Sequence, residues 1–413
     1  MPFGVEHFNG HFIKLKYIIM ISVEEATSII LANKITPHIK KVSVHEALGR
    51  VLAEVAAADR DFPPFDRATM DGIAISYQAH QNGQREFNIE SMQAAGQPKG
   101  KLSNSAHCIE IMTGACIPEG TDTVIPYENL TVNSKVAVIN GNIEPHQNIH
   151  KQGNDAKKSD KLLSIGTMLS GADIALLASI GKSSVAVFEL PKAAIISTGN
   201  ELVDIDQTLL PHQVRKSNSY ALQAAYKNIG GESVLFHLAD DETIIAKELE
   251  IILSKFDLVL LSGGVSKGKF DFIPQRLEAL AIKKLFHQVS QKPGKPMWFG
   301  RSESKFVFAL PGNPVSTFMC FHKYVKPWAL ASLGVTASAQ KAILATDYSF
   351  KAPLTYFLQV KLKNEEGKLM AYPATGGGSG DFVNLKEVDG FLELPKEETQ
   401  FKTGEAYPII QFR

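Results

Sequence analysis

Cysteine is scarce in this chain: Cys108, Cys116 and Cys320 are the only three in 413 residues, and no two form a CxxC pair. That argues against a disulfide framework and a structural zinc site, and fits a reducing cytoplasm. An excess of either charge is missing too, with 43 basic against 43 acidic residues. Nothing therefore draws the whole chain to nucleic acid or a membrane, and any anion site has to arise from local clustering. No apolar run approaches the roughly 18 residues that span a bilayer. Neither a Ser-His-Asp grouping nor a nucleophilic-cysteine context is present, so covalent nucleophilic catalysis has no signature here.

What is present is enough for several domains. A chain of 413 residues exceeds one ordinary domain, and 44% apolar content can build real cores. In residues 1–19 the short apolar run after Lys14 and Lys16 is too brief for a signal segment. Met20 directly precedes a clean helix start, so 1–19 reads as an upstream extension. Ser22 to Glu25 spells a capping box for a helix to about Ala32, and Ser170 to Asp173 spells another, stopped by Gly181. A short helix is expected around 45–48, followed by a polar, two-proline loop over 61–72 that cannot be a central strand. Residues 73–148 alternate in short runs (87–91, 107–112, 123–127, 136–139) with no convincing helix, which predicts a small β-domain.

From Lys192 the pattern becomes α/β. Strands are predicted at 193–197, 233–238, 257–261, 285–289 and 306–310, with helices at 219–229, 243–255 and 272–281, and a further one capped by Asn313-Pro314. The fold class is therefore multidomain α/β, with a doubly wound domain, a helical segment, an inserted β-domain and a β-barrel or sandwich at the tail. Ligands of open α/β sheets bind beyond the carboxyl ends of the strands. All five exits carry polar or glycine-rich residues: 197–201, Asp240-Asp241, 262–271, Lys292-Pro-Gly-Lys295-Pro296, and Pro311-Gly-Asn-Pro314.

The third exit nearly spells a Walker A loop, since Gly263 and Gly268-Lys269 fit GxxxxGK, but Phe270 replaces the magnesium-binding hydroxyl. It reads instead as an anion-binding turn of another kind. Taken singly, Asp240-Asp241 and Asn313-Pro314 are explained by helix capping, and two lysines by solvated surface. Lys292 and Lys295, held by prolines beside a glycine turn, together make an oxyanion site. Glu201 and Asp271 add carboxylates suited to magnesium, which takes one or two of them plus phosphate oxygens.

At this point the motifs resemble those of the molybdopterin molybdenumtransferases, the MoeA and gephyrin E-domain family. The matching stretches are PPFDRATMDGIA (63–74), EIMTGACIPEGTDTVIPYE (110–128), GNDAKK (153–158), ISTGNEL (196–202), SGGVSKGKFDF (262–272), KPGKP (292–296) and LPGNPVS (310–316). They cover essentially residues 20–413 in family order.

The resemblance implies an elongated L-shaped homodimer whose chain divides into an extension (1–19), a helical linker domain (20–47 with 149–183), an inserted β-domain (48–148), a molybdopterin-binding-like α/β domain (184–335) and a C-terminal β-barrel (336–413). It implies a cytoplasmic transferase that joins molybdate to adenylylated molybdopterin with Mg2+, releasing AMP and molybdenum cofactor. The upstream adenylyltransferase and acceptor molybdoenzymes would be further partners. Neither nucleic acid nor membrane is expected.

By the same resemblance Lys292, Lys295 and Ser266 would contact the oxyanion, with Arg301 a weaker candidate. Gly263, Gly264, Pro293, Gly312, Asn313, Pro314 and Ser316 would approach the pterin phosphate or AMP. Glu201, Asp240 and Asp271 would hold the metal. Asp66, Asp71, Thr113 and Asp155 would complete the site from the partner chain. The chain departs from the family at Asn200, Lys216 and Lys269, each of which removes an acid near the proposed metal, and its tail loop Gly376 to Asp381 lacks the usual histidine. Two other readings are an adenylyltransferase of the same α/β type and a non-catalytic dimeric scaffold. The inserted β-domain and tail speak against the first, and retention of Lys292, Lys295, Glu201 and Asp271 against the second.

Overall fold

The computed structural model describes residues 20–264, 273–335 and 339–413. The chain forms two compact units. One comprises the chain up to Lys41, Gly49–Val51 and Ala186–Arg413; the other comprises Val42–Leu48 and Leu52–Val185. In the first unit, helix α1 (Val23–Ala32) begins where the sequence places it, with the Ser22 side chain accepting from the Glu25 N–H.

Six strands build the sheet of that unit: β1 (Ala193–Thr198), β2 (Ser233–Leu238), β3 (Leu258–Ser262), β4 (Lys283–His287), β5 (Trp298–Arg301) and β6 (Phe306–Leu310), in the order β2-β1-β3-β6-β5-β4. The first four of that order are mutually parallel. β1, β3 and β6 are buried at every residue, so their near-continuous apolar sequence is what a sheet covered on both faces requires. Helices α2 (Ser217–Asn228), α3 (Glu242–Lys255), α4 (Ile273–Ala279), α5 (Pro314–Cys320) and α6 (Lys326–Ser332) accompany it.

The sheet has one strand more than the five expected from the sequence. β5, unpredicted, runs antiparallel between β6 and β4. Two reversals leave β4 pointing the same way as β6, so the loop after β4 still opens at the edge where the other strands end. The core on one face joins α1 (Val23, Ala26, Ile30) to α2, α5 and α6. Trp328 of α6 donates its indole N–H to the Asn33 carbonyl just beyond α1 at 2.8 Å.

The tail closes into a barrel of β7 (Lys341–Leu344), β8 (Thr355–Glu365), β9 (Lys368–Pro373), β10 (Gly390–Leu394) and β11 (Ala406–Gln411). β8 pairs with both β9 and β10, and β7 and β11 complete the ring. The β8–β9 turn at Glu366-Gly367 has φ of 50° and 79°, the left-handed pair that a two-residue hairpin demands. The barrel also reaches back to the α/β sheet's edge loops, where Gln291 and Lys292 pair in parallel with Thr355 and Tyr356.

The second unit carries a six-stranded sheet in the order Thr123–Pro126, Gly72–Ile75, His107–Ile111, Glu86–Gln93, Val136–Ile139, Leu130–Asn133. Gly72 is obligatory there: a Cβ on it would stand 1.9 Å from the Ile125 carbonyl oxygen. Two expectations change. A short helix, Tyr77–Gln81, lies within the stretch expected to have none, and the helix expected near 45–48 is a 3-10 turn at Val44–Glu46. The capping box at Ser170 and Asp173 forms in full and opens the helix Gly171–Ser179.

Both ring nitrogens of His322, after α5, are buried without a hydrogen-bond partner, and the ring lies among those of Phe318, Phe321 and Phe412. Burial, and secondarily the Lys326 charge, pushes its pKa down to about 3. The unfolded imidazole titrates near 6.5, so between those values only the unfolded chain takes up the proton. The stability contributed by burying this neutral ring is therefore full above about pH 6.5 and is lost as pH falls toward 3, by about 1.4 kcal/mol per pH unit for the one proton in mid-range. Urea titrations from pH 7 to 4.5 should show this slope, and His322→Phe should flatten it.

Candidate functional site

Two clefts open where the parallel strands of the first unit end. The first, of about 570 Å³, is lined by the Gly263-Gly264 turn, by 291–296, by Gly312 and Asn313, by Ser316, and by Leu354, Tyr356, Thr375, Gly376, Gly378 and Ser379 of the barrel side. The second, of about 530 Å³, is lined by Thr198, Gly199, Glu201, Lys216, Asn218, Asp240, Gly263, Gly264 and 312–314. They share the Gly263-Gly264 and Gly312-Asn313 walls.

Close approach explains these glycines. A Cβ on Gly263 (φ +98°) would lie 2.8 Å from the Thr198 hydroxyl, and one on Gly264 (φ +69°) 2.4 Å from Ile273. Gly263 N–H donates to the Leu310 carbonyl at 3.2 Å, tying the third strand exit to the fifth. Asn218 locks the same corner, with its amide nitrogen 2.7 Å from the Gly312 carbonyl oxygen and 2.8 Å from the Ser262 hydroxyl.

The lysine-bearing loop is braced from below by a residue the sequence reading passed over. Gln291 is fully buried. Its amide nitrogen donates to the Gly294 carbonyl at 3.0 Å, and its amide oxygen accepts from the Tyr324 hydroxyl. Gly294 (φ +92°) leaves no room for a side chain, since a Cβ would meet Cys320 Sγ at 2.6 Å. The loop is thus rigid while Lys292 and Lys295 remain exposed at its two ends. Rigid presentation of solvent-facing cations suits capture of a small anion.

The acids sort unequally. Asp241 is a helix cap, accepting from the Thr243 and Ile244 N–H groups at 2.9 Å each. Asp240 instead lines the second cleft with Glu201, tied to Asn200 by a pair of hydrogen bonds of 3.1 and 3.4 Å. Lys216 lines the same cleft, its ammonium 3.0 Å from Asp204. Hydrogen bonds from Tyr220, then Lys216 and the Ile205 N–H, hold the exposed Asp204 carboxyl down at about 2. Ser266, Lys269 and Asp271 lie outside the described residues. Among the described residues no three His, Cys, Asp or Glu side chains cluster to hold a metal ion.

Two expectations are revised by partners. Asn313 makes no capping bond with its side chain; the amide reaches the Ser379 hydroxyl at 2.8 Å, and the Val315 N–H donates to the Ser379 carbonyl at 3.1 Å. The glycine-rich tail loop is therefore docked on the start of α5. Arg301 lines neither cleft. It ends the antiparallel β5 with its guanidinium over the Phe306 ring, 4.9 Å from the centroid, and bonded to the Ser302 and Glu303 carbonyls.

In the second unit, residues 150–155 hold two of the four expected residues. Asp66 accepts from Gln152 N–H at 2.8 Å and Lys151 Nζ at 3.1 Å. Partial burial raises its pKa, but these bonds outweigh it and the net shift is downward. Asp155 pairs with His150 at 2.8 Å, and that ring's other nitrogen faces Arg67 at 3.3 Å. Asp71 and Thr113 are partners: one carboxylate oxygen accepts from the Thr113 hydroxyl and N–H at 2.7 and 2.6 Å, which lowers the Asp71 pKa.

Comparison with known proteins matches this architecture along the chain. Residues 21–181 match the family model described as MoeA N-terminal region (domain I and II). Residues 194–331 match "Probable molybdopterin binding domain", and 341–412 match MoeA C-terminal region (domain IV). A molybdopterin molybdenumtransferase of Synechocystis sp. is 40% identical over 397 residues, covering 94% of this chain and 99% of that protein. One of Staphylococcus epidermidis is 30% identical over 400 residues, covering 94% and 95%. The crystal structure of a molybdopterin biosynthesis MoeA protein from Pyrococcus horikoshii OT3 superposes with a TM-score of 0.82 at 30% identity, covering 95% of this chain and 100% of that one. Identity of this extent and coverage shows that the chain belongs to the molybdopterin molybdenumtransferase (MoeA) family.

Proposed function

We propose that this chain is a molybdenum insertase: it transfers molybdate to adenylylated molybdopterin, releasing AMP and the molybdenum cofactor. The observation that carries the reading is the braced loop that projects Lys292 and Lys295 beside the Gly263-Gly264 and Gly312-Asn313 turns. Molybdate is a tetrahedral dianion, and two ammonium groups carried on a fixed loop, with backbone donors and Ser266, neutralise and orient it. The glycine turns, with Pro293, Pro314 and Ser316, let a phosphate-bearing ligand approach the backbone closely.

Magnesium suits Glu201, Asp240 and Asp271, as an ion content with one or two carboxylates plus phosphate oxygens and water. When bound it supplies positive charge to the phosphoanhydride. Asp66, Asp71, Thr113 and Asp155 belong to this reading as the partner chain's share of the site in a cytoplasmic homodimer, and the five-part domain division expected from the sequence goes with it.

The reaction is tested by following AMP in the presence of adenylylated molybdopterin, magnesium and molybdate; no AMP from well-folded protein would contradict it. Sharing is tested by mixing. Co-refolded Asp66→Asn and Lys295→Ala subunits should recover about a quarter of wild-type activity, since half the dimers then carry one intact site. No recovery from mixed dimers, or a monomer at micromolar concentration in sedimentation, would contradict sharing.

A further inference from the structure

We infer that Phe350, stacked behind Tyr356 of the first cleft, is a positioning residue that holds the Lys292 ammonium toward the bound oxyanion; the inference rests on the molybdate reading above. Lys292 Nζ lies 5.5 Å from the Phe350 ring centroid, within the range of a cation–π contact. The ring is itself fixed. It stacks on Tyr356 at 4.2 Å and 12°, and Tyr356 stacks in turn on Tyr348 at 5.9 Å and 7°. The Tyr348 hydroxyl donates to that of Tyr356 at 3.4 Å, and the Phe350 N–H donates to the Thr399 carbonyl at 3.1 Å.

Lys292 is registered to this stack through its backbone too, since it pairs opposite Tyr356, a residue that lines the first cleft. The lysine is exposed, and a free four-carbon side chain there would sample many rotamers. An aromatic face narrows that sampling without neutralising the charge, as a carboxylate partner would, so the full positive charge stays available to an anion. Three aromatic residues of the barrel side thereby set the orientation of one cation on the α/β side.

The test uses the full-length protein and two readouts. In turnover, Phe350→Leu should raise the molybdate KM about two- to fivefold with AMP release at saturating molybdate unchanged. Phe350→Tyr, which keeps the ring, should restore it. In a Lys292→Ala background Phe350→Leu should add nothing, because the contact is already lost. Independently of turnover, reductive methylation with isotope-labelled formaldehyde gives each lysine an NMR signal. The Lys292 signal should be ring-current shifted, should lose that shift in Phe350→Leu, and should move on titration with molybdate. Additive effects of the two substitutions, an unchanged KM, or a Lys292 signal insensitive to both ring and molybdate would overturn the inference. A molybdate-responsive Lys292 in a protein that releases no AMP would instead sink the insertase reaction and leave the positioning intact.

Discussion

Replacing Lys295 with alanine should lower molybdate-dependent AMP release at limiting molybdate by about tenfold to a hundredfold, with little change in folding stability. The magnitude is that of a charge-assisted hydrogen bond to an ion, about 1.5–3 kcal/mol. The lack of a stability effect follows from place: Lys295 is exposed, and what fixes its loop is the buried amide of Gln291, not its own side chain. The loss should appear as a raised molybdate KM, whereas the affinity for the adenylylated pterin in binding titrations should change much less. Steady-state rates over a molybdate series, beside a thermal melt, measure both. A melt that drops as far as the rate would assign Lys295 a structural role instead.

Gln291→Leu should do the reverse, with its first effect on stability. Leucine has nearly the volume of glutamine but leaves the Tyr324 hydroxyl and the Gly294 carbonyl without their partner in a fully buried place. Each unsatisfied buried group costs about 1–3 kcal/mol, so about 2–6 kcal/mol is expected for the two, read by chemical denaturation of the first unit. The lysine loop then loses its brace, and the molybdate KM should rise although neither lysine has been touched. Unchanged stability would mean that the loop is held by Gly294 and its neighbours alone.

These two residues also mark the boundary of what sequence makes legible. The lysines are visible because prolines and glycine frame them in KPGKP; the adjacent Gln291 is not, because a lone amide carries no pattern, and its burial arises only when α5 and the turn after it fold beneath the loop. Strands at 233–238 and 306–310 were readable to the residue, as apolar runs closed by turn residues. β5 was not: four residues containing Gly300 give too short a signal, and its place between β6 and β4 is a long-range pairing. The same holds for the barrel, whose β8–β9 hairpin announces itself through Glu366-Gly367 while the closing β8–β10 pairing does not.

Capping logic was right for Asp241 and incomplete for Asn313. Both precede helices, but only Asn313 has a competing acceptor, Ser379, brought in from 66 positions along the chain. Asp71 and Thr113, placed in the site by motif alone, prove to be direct partners across 42 positions, a contact that neither motif implies by itself. Lys216 is the clearest departure from the family pattern, and its salt bridge to Asp204 gives it a local partner; among the described residues Glu201 and Asp240 are the acids that line the second cleft.

The most direct test of the insertase reading counts both products of one turnover. Wild-type protein is supplied with a limiting amount of adenylylated molybdopterin, excess molybdate and magnesium, and the mixture is separated to quantify AMP and pterin-bound molybdenum together. Molybdenum insertion predicts equal amounts of the two, with AMP release dependent on molybdate. AMP released equally well without molybdate, or with no molybdenum on the pterin, would contradict it.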